Sequence, residues 1–377
     1  MTEPTWSLGP IRAYQGHALD VLRDLPSESV HCCVTSPPYY GLRDYGTARW
    51  EGGSPICEHG VDRWEGPKQT QGAQSGHSAG RNRLDRHQCE CGAQRKEPTL
   101  WGTWRGALGL EPTPEMYVAH LVEVFREVRR VLRADGCLWL VLGDSFATRP
   151  VRQPIAENDI KTKDLIGIPW LTAFALRADG WYLRSDIVYS KANPMPESVH
   201  DRPTRAHEFI FLLAKSPHYY YDHAAVREPA VGANHHDLTG MGYTAPGQSP
   251  QQGNRKALHG PTYARHRSSV PGGQDLRTAP GAKRNLRSVW TLPTQPYKEA
   301  HFAVFPRKLV EPCILAGCPP GGTVLDPFAG SGTTLAVAQQ LERTAIGIEL
   351  NPQYLSLIAR RVSGSPAPTV KPGIMAV

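Results

Sequence analysis

Hydrophobic positions along the chain fall into two kinds of pattern, and these alternate. Short apolar runs at residues 11–14, 30–34, 137–144 and 208–214 have the length and composition of buried strands. Between the first two lies the segment "QGHALDVLRDL", whose apolar residues recur at helical spacing. The first half of the chain therefore predicts strands separated by helices.

The clearest helical pattern covers residues 114–133, "PEMYVAHLVEVFREVRRVLR", with apolar residues at three- and four-residue steps. Pro114 suits the first turn of a helix, and Thr113 is a candidate N-cap. A strand–helix–strand unit is predicted at 165–189, and strand, Gly-rich turn, helix, strand and helix over 321–362. This alternation predicts an α/β fold with a mostly parallel sheet covered by helices on both faces.

Two stretches lack this periodicity, residues 46–110 and residues 223–298. The second carries nine Lys or Arg against three Asp or Glu within residues 223–290, with five His besides. We therefore divide the chain into two halves of one domain with two insertions and a tail that we expect to be disordered. The segments are 1–45 with 111–222, the insert 46–110, the basic region 223–298, the half 299–362 and the tail 363–377.

Composition narrows the class of protein. The 377 residues are 40% hydrophobic and 20% charged, as in a soluble globular protein. No apolar run approaches the roughly 18 residues of a membrane span, and the N-terminus lacks a signal-peptide pattern. We expect a cytoplasmic protein, in which the eight scattered cysteines form no disulfide framework. The net charge of +7 is weak evidence for a polyanionic partner by itself.

The Gly-rich turn "LDPFAGSGTTL" at 325–335 joins an apolar strand to a helix. No Lys follows its glycines as in a phosphate-binding Walker loop, and Leu335 stands where a dinucleotide fingerprint has a third Gly. Glu349 follows Gly332 by seventeen residues, at the end of the next strand, where a carboxylate can accept hydrogen bonds from ribose hydroxyls. The combination favours an adenosine ligand without a pyrophosphate, such as S-adenosylmethionine. The alternative is an ordinary strand–helix turn.

The run "TSPPYYG" at 35–41 follows a predicted strand, and its two prolines hold the chain extended. Ser36 and the carbonyl of Pro37 are hydrogen-bond acceptors, while Tyr39 offers an aromatic face. That set fits a planar group bearing an amine, for which a nucleobase flipped out of a helix is the obvious candidate. Alternatively, the run is a surface loop stiffened by proline.

Together these motifs resemble those of the DNA amino-methyltransferases, the N4-cytosine/N6-adenine family. "SPPY" at 36–39 matches the family's catalytic motif, "DPFAGSGTT" at 326–334 its cofactor motif and "GIELNPQY" at 347–354 its ribose-binding segment. "HFAVFPRKLVEPCI" at 301–314 resembles the segment beside the methionine end of the cofactor. The catalytic motif precedes the cofactor motif, which is the family's permuted beta-class order. The N-terminal segment "IRAYQGHALDVL" is then expected to complete the cofactor half.

The resemblance implies a Rossmann-like, S-adenosylmethionine-dependent methyltransferase fold and a set of site residues. The catalytic residues would be Ser36, Pro37, Pro38 and Tyr39. Cofactor-binding residues would be Asp326, Phe328, Gly330, Gly332, Thr333, Glu349, Leu350, His301, Phe302 and Asp20, the last because His17 replaces the family's acidic residue after Gly16.

Ser rather than Asp at position 36 is similar to the cytosine-N4 members. The resemblance thus predicts methylation of the N4 amine of a cytosine in double-stranded DNA, with a cognate restriction endonuclease as a candidate partner. The alternatives are an N6-adenine enzyme, a methyltransferase for RNA or protein amides, and an inactive DNA-binding protein. Methylation at carbon 5 would require a cysteine nucleophile in a Pro-Cys loop, whereas the pair Pro312-Cys313 lies in an apolar, helix-like run that indicates packing.

Two further sets of residues are predicted. The basic region would contact DNA through Arg255, Lys256, Arg265, Arg267, Lys283, Arg284 and Arg287, unless it is a solvated loop. The insert could hold a structural zinc through Cys57, His59, Cys89 and Cys91, with unrelated surface thiols as the alternative. His207-Glu208 does not form a zinc-protease motif, because Phe211 stands where a second His would be required.

Overall fold

A computed structural model describes residues 3–41, 107–148, 160–230, 283–294 and 305–364, together with four short strands between residues 49 and 105. Contacts between Cα atoms divide the chain into two units, one formed by residues 1–222 and 287–377 and the other by residues 223–286. None of the helices among the described residues has the length and apolar character needed to cross a bilayer.

The first unit is built on a sheet of nine strands with helices between them. Its strands are β1 (Trp6–Leu8), β2 (Ile11–Gln15), β3 (Val30–Thr35), β8 (Leu132–Leu142), β9 (Tyr182–Lys191), β10 (His207–Ala214), β13 (Val289–Leu292), β14 (Thr323–Asp326) and β15 (Thr344–Glu349). The helices are α1 (Ala18–Asp24), α2 (Pro114–Val131), α3 (Ile168–Ala178), α4 (Arg307–Gly317), α5 (Thr333–Gln340) and α6 (Pro352–Ser363).

The strand order is β1-β2-β15-β14-β3-β8-β10-β9-β13. All neighbours pair in parallel except at β1 and β10, which run against the rest. The predicted α/β fold with a mostly parallel sheet is confirmed. β2 pairs in parallel with β15 along five residues, so the N-terminal segment does complete the C-terminal half.

Helix α2 follows its sequence pattern closely. Thr113 caps it by accepting a hydrogen bond from the Met116 amide at 3.3 Å, with Pro114 in the first turn. The face formed by Tyr117, Leu121, Phe125 and its neighbours is buried in the main core. A buried apolar stripe on one side of a long helix is what sets its orientation on a sheet.

One predicted element is absent. The strand expected at the start of 165–189 is only an isolated bridge between Phe146 and Leu165. The chain there turns instead into α3, because Gly167 adopts a left-handed φ of 84° and its amide bonds to Asp144.

The small strands β4 (Arg49–Glu51) and β5 (Gln94–Lys96) pair with each other, as do β6 (Leu100–Trp101) and β7 (Trp104–Arg105). The rest of the predicted insert up to residue 106 and the predicted tail from residue 365 lie outside the described residues. In the second unit, β11 (Glu228–Pro229) pairs with β12 (Lys283–Arg284).

Candidate active site

The two principal motifs lie side by side at one edge of the sheet. "SPPY" follows β3 and the Gly-rich turn follows β14, which are adjacent parallel strands. Glu349 ends β15, the next strand over. The carboxyl ends of parallel strands form the ligand-binding edge of such sheets, so the topology brings both motifs to one place.

A buried hydrogen bond joins the motifs directly. The hydroxyl of Thr35, the residue before Ser36, donates to Oδ1 of Asp326 at 2.7 Å, and the Phe328 amide donates to the same oxygen at 3.1 Å. Burial raises the pKa of Asp326 to about 6, although hydrogen bonds from Thr35 and Thr334 act against the rise. Its other oxygen, Oδ2, is buried and has no hydrogen-bond partner among the described residues.

Two glycines set the backbone conformation of the Gly-rich turn. Gly330 and Gly332 have φ angles of 52° and 79°, a region that side chains rarely adopt. A Cβ on Gly332 would also lie 3.1 Å from the Cα of Ile358, whereas one on Gly330 would meet nothing closer than 4.0 Å. The backbone at Gly330 is therefore open to a close-lying ligand.

Glu349 holds this turn through two amides. Its carboxylate accepts from Gly330 N at 2.8 Å and from Asn351 N at 2.7 Å. The pKa of Glu349 is raised to about 7, chiefly by burial and also by the nearby Asp326 charge, while the hydrogen bonds from the amides act against the rise. An adenosine ligand fits these residues, since an acidic acceptor lies beside an open glycine backbone.

We call residues 36–41, which contain the four residues predicted to be catalytic, the catalytic loop, and helix α2 packs against it. The Tyr117 hydroxyl donates to the Pro38 carbonyl at 2.8 Å, and the rings of Tyr117 and Tyr40 lie 5.6 Å apart. This gives Tyr40 a packing role. Pro37 is buried and Ser36 is partly buried.

A second brace comes from the loop before α2. Gly41 N donates to Gly109 O at 2.7 Å, and Gly109 N donates to the buried carboxylate of Glu111 at 2.8 Å. Oε1 of Glu111 lies 2.9 Å from Nδ1 of His120 on α2. The catalytic loop is thus fixed through the backbone carbonyl of Pro38 and the backbone amide of Gly41.

Tyr39 is held at its ring and at its hydroxyl. A Cβ on Gly143, at the end of β8, would lie 2.6 Å from a Tyr39 ring carbon, so the ring packs directly on the glycine backbone. The hydroxyl donates to Oε2 of Glu208 at 2.9 Å, and Nζ of Lys191 donates to Oε1 of Glu208 at 2.5 Å. Sequence reasoning missed Glu208, Lys191 and Gly143.

The sequence held a partial signal for these residues. "GDS" ends the strand β8 in the same way that "SPPY" ends β3, so its glycine and aspartate could have been assigned to the same edge. Glu208 and Lys191 gave no such signal, since an ion pair between neighbouring antiparallel strands depends on their register.

Four further residues are predicted to bind the cofactor: Asp20, Leu350, His301 and Phe302. Asp20 lies on α1 with a 72% exposed side chain, 3.9 Å from His17 and 3.6 Å from Arg23. Leu350 directly follows Glu349 at the same strand end. His301 and Phe302 lie outside the described residues. Their assignment to the cofactor stays a prediction.

Of the predicted DNA-binding residues, Arg255, Lys256, Arg265 and Arg267 lie outside the described residues. Lys283 and Arg284 form β12, where Arg284 is paired with Glu228 at 2.8 Å, and Arg287 is exposed. The predicted zinc ligands Cys57, His59, Cys89 and Cys91 are also outside. No cluster of metal-ligating side chains occurs in the part of the chain that the structure describes.

The five cysteines in the described segments are all buried. Cys32, Cys33 and Cys313 are fully buried, and burial raises the pKa of each thiol well above its ordinary value. A thiolate attacks; a buried neutral thiol does not.

Comparison with known proteins gives consistent matches. The family model N6_N4_Mtase, described as DNA methylase, matches residues 30–360. The type II methyltransferase M.Cfr9I of Citrobacter freundii is 38% identical over 366 residues, covering 93% of this chain and 87% of that protein. M.SmaI of Serratia marcescens, also a type II methyltransferase, is 36% identical over 363 residues, covering 92% and 89%.

Among solved structures, the PvuII DNA methyltransferase (cytosine-N4-specific) superposes with a TM-score of 0.54 at 15% identity. The match covers 96% of this chain and 89% of that one, and it supports the fold.

Proposed function

The chain belongs to the N6_N4_Mtase family of DNA methylases, in the permuted arrangement with an SPPY motif, and we propose that it methylates the exocyclic N4 amine of a flipped cytosine in duplex DNA. The observation that carries this proposal is the 2.7 Å bond between Thr35 and Asp326. It fixes the loop of Ser36 against the turn that would hold the methyl donor. Ser rather than Asp at this position supports cytosine over adenine.

S-adenosylmethionine would supply an electrophilic methyl group on its sulfonium. Asp326, Phe328, Gly330, Gly332 and Thr333 would line its site, with Glu349 accepting from the ribose hydroxyls. The Glu349 carboxylate accepts from two backbone amides, and its remaining lone pairs could accept from the ribose hydroxyls.

The residues of the catalytic loop would present the amine. Its lone pair is delocalised into the base ring, and hydrogen bonds accepted by Ser36 Oγ and the Pro37 carbonyl favour a tetrahedral nitrogen with an available lone pair. Transfer would then be direct: the amine nitrogen would bond to the methyl carbon as the methyl–sulfur bond breaks, and the nitrogen would release one proton. Orientation would account for much of the rate enhancement. The Tyr39 ring would contact the flipped base, and stacking returns roughly 1–3 kcal/mol of the few kcal/mol that flipping costs.

We also propose that residues 223–298 read the DNA sequence, through the basic residues named above. A restriction endonuclease that recognises the same site is the partner that such a methyltransferase would have.

Product analysis tests the proposal. The protein is incubated with S-adenosylmethionine labelled in its methyl group and with duplex DNA, which is then digested to nucleosides. We expect the label in N4-methylcytosine. Label in N6-methyladenine would replace the proposed base, and the absence of label from DNA would remove the proposal.

Ser36→Ala provides the matched test of the catalytic loop. Loss of an acceptor for the amine should lower the single-turnover rate at least about tenfold, which corresponds to about 1.4 kcal/mol of transition-state stabilisation. The dissociation constant for the cofactor, measured by calorimetry, should stay within about twofold because Ser36 lies outside the Gly-rich turn. Weakened cofactor binding with an unchanged rate per complex would contradict this role.

A further inference from the structure

Helix α6 packs directly on the Gly-rich turn. A Cβ on Gly332 would lie 3.0 Å from Cγ1 of Ile358 and 3.1 Å from its Cα, so the backbone of the turn lies against that of the helix. Arg361 follows Ile358 by three residues on α6, and residues at this spacing share one face of a helix. The helix therefore presents the side chain of Arg361 to the same turn.

Arg361 is hydrogen-bonded to two hydroxyl groups of the turn. Its Nη1 donates to Oγ of Ser331 at 2.9 Å and also to Oγ1 of Thr333. Ser331 and Thr333 are only 6% and 3% exposed, and Arg361 is partly buried. Hydrogen bonds from a charged donor are stronger than neutral ones, and water competes little for groups that are buried to this extent. The two bonds therefore hold the turn against α6.

The chemistry of the groups fixes the direction of both bonds. A guanidinium has donors only, whereas a hydroxyl can both donate and accept. The oxygens of Ser331 and Thr333 must therefore accept from Arg361. Thr333 is among the residues proposed to line the cofactor site, and this bond gives its hydroxyl a second role in holding the turn.

Glu349 ties the turn to the other end of the same helix. Its carboxylate accepts from Gly330 N at 2.8 Å and from Asn351 N at 2.7 Å, directly before α6 begins. Asn351 then caps the helix by accepting from Gln353 N at 3.0 Å. The turn is thus bonded at the beginning of α6 and again, through Arg361, in the last turn of the helix.

We propose that Arg361 is a positioning residue for the cofactor, because it holds the Gly-rich turn in the conformation that receives S-adenosylmethionine. Glycines such as Gly330 and Gly332 allow many backbone conformations, so the restraint on the turn must come from side chains that contact it. The inference rests on the cofactor of the proposed function and does not depend on which base is methylated. Arg361 lies outside the cofactor motif and the ribose-binding segment.

Calorimetry of S-adenosylmethionine binding to the full chain tests the inference. Arg361→Met removes the donors but keeps the length of the side chain, and Arg361→Lys keeps a charged donor. Ser331→Ala and Thr333→Val remove the two acceptors and are combined in one variant, to which Arg361→Met is then added. Arg12→Met is the matched control, since it makes the same change at an exposed arginine on β2 of the same sheet.

We expect Arg361→Met to raise the Kd for S-adenosylmethionine about tenfold, which corresponds to about 1.4 kcal/mol. Arg361→Lys should recover at least about threefold of this loss, because an ammonium can still donate to a hydroxyl. The variant without both hydroxyls should resemble Arg361→Met, and the triple variant should bind no more than about twofold more weakly than either, because all remove the same bonds. The Kd of Arg12→Met should stay within about twofold of the wild type.

Two further measurements separate positioning from a general loss of structure. At saturating cofactor, the single-turnover rate of Arg361→Met should stay within about twofold of the wild type, because the residue acts on binding and not on the transferred methyl group. Melting temperatures of the free proteins report any loss of stability. A purely structural role would lower the melting temperature of Arg361→Met and leave its Kd, measured well below that temperature, unchanged.

An unchanged Kd in Arg361→Met would overturn the inference. If this variant failed to fold, an unchanged Kd in the variant without both hydroxyls would overturn it equally. Losses that multiply to about a hundredfold in the triple variant would also do so, since Arg361 would then act independently of Ser331 and Thr333. A wild type that binds no S-adenosylmethionine would remove the proposed function and this inference together. A wild type that binds it but labels no DNA removes the proposed function alone.

Discussion

Gly143 lies where β8 leads into its loop, and the ring of Tyr39 packs directly on its backbone. Its position is not one of left-handed φ, so the need for glycine there comes from the neighbouring ring alone. The same ring is anchored by its hydroxyl on Glu208. At the residue scale, the geometry of the catalytic loop therefore depends on groups that belong to other strands.

Gly143→Ala should displace the Tyr39 ring, because a Cβ would lie 2.6 Å from a ring carbon. We expect a loss of about tenfold or more in single-turnover rate, as misplacement of a positioning group by about 1 Å commonly costs that much. The matched control is the same substitution in a Tyr39→Ala background, where there is no ring to displace. An equal further loss in that background would show that the substitution acts elsewhere.

Glu349 should make cofactor binding depend on pH. Its pKa is raised to about 7, so the carboxylate is ionised above that pH and protonated below it. Only the ionised form offers all its lone pairs to ribose hydroxyls. Affinity for S-adenosylmethionine should therefore weaken as pH falls from about 8 to about 5.5, by up to about tenfold per pH unit below the pKa.

Calorimetry at a series of pH values measures this dependence. Glu349→Gln removes the titrating group, so its affinity should be lower at high pH and flatter across the range. A wild-type affinity that does not change with pH would contradict the assignment of Glu349 to the ribose.

At the element scale, helix α3 begins without a cap of its own. Gly167 stands at its N-cap position and has no side chain to accept the free amides. Asp144, at the end of β8, accepts from Gly167 N at 2.9 Å and Ile168 N at 3.0 Å, and lies 3.8 Å from Arg205. A strand end thus caps a helix from a distant point in the sequence, which explains why the predicted strand before α3 does not form.

Asp144→Ala should lower the free energy of unfolding by about 1–2 kcal/mol, the usual cost of losing an N-cap. Asp144→Asn is the control, since its amide oxygen still accepts from the helix and its loss should be smaller. Chemical denaturation measures both. Equal stabilities for wild type and Asp144→Ala would mean that the amides find other partners.

At the scale of the whole molecule, the N-terminal strand β2 completes a sheet whose other central strands come from both halves of the chain. Ile11 and Ala13 are fully buried, and β2 is hydrogen-bonded to β15 at the end of the cofactor half. The permuted order is therefore compatible with one continuous sheet, because β2 supplies the neighbour that β15 needs.

Ile11→Ala should destabilise the protein by about 2–5 kcal/mol, because it leaves a cavity in a fully buried site next to β15. Arg12→Ala, at the next position on the same strand, exposes nothing and should change stability by less than about 0.5 kcal/mol. Denaturant titrations compare the two. Equal effects would show that β2 contributes little to the stability of the sheet.

Much of the fold followed from local patterns. The helix at α2, with its cap at Thr113, and the strand–turn–helix around the Gly-rich motif have the elements that the sequence predicted. The strand wrongly predicted before α3 shows the limit of such reasoning. A short apolar run is compatible with several structures, and here the distant Asp144 decides between them.

By itself the sequence determined most of the helices and central strands and the order of the two motifs along the chain, because these depend on residues close along the chain. The strand order then brought the two motifs together. Only the tertiary structure decided which side chains surround Tyr39. Glu208, Lys191 and Gly143 reach it from three positions far from residue 39. The physical reason is that hydrogen bonds and ring packing between strands depend on strand order and register, which no local pattern encodes.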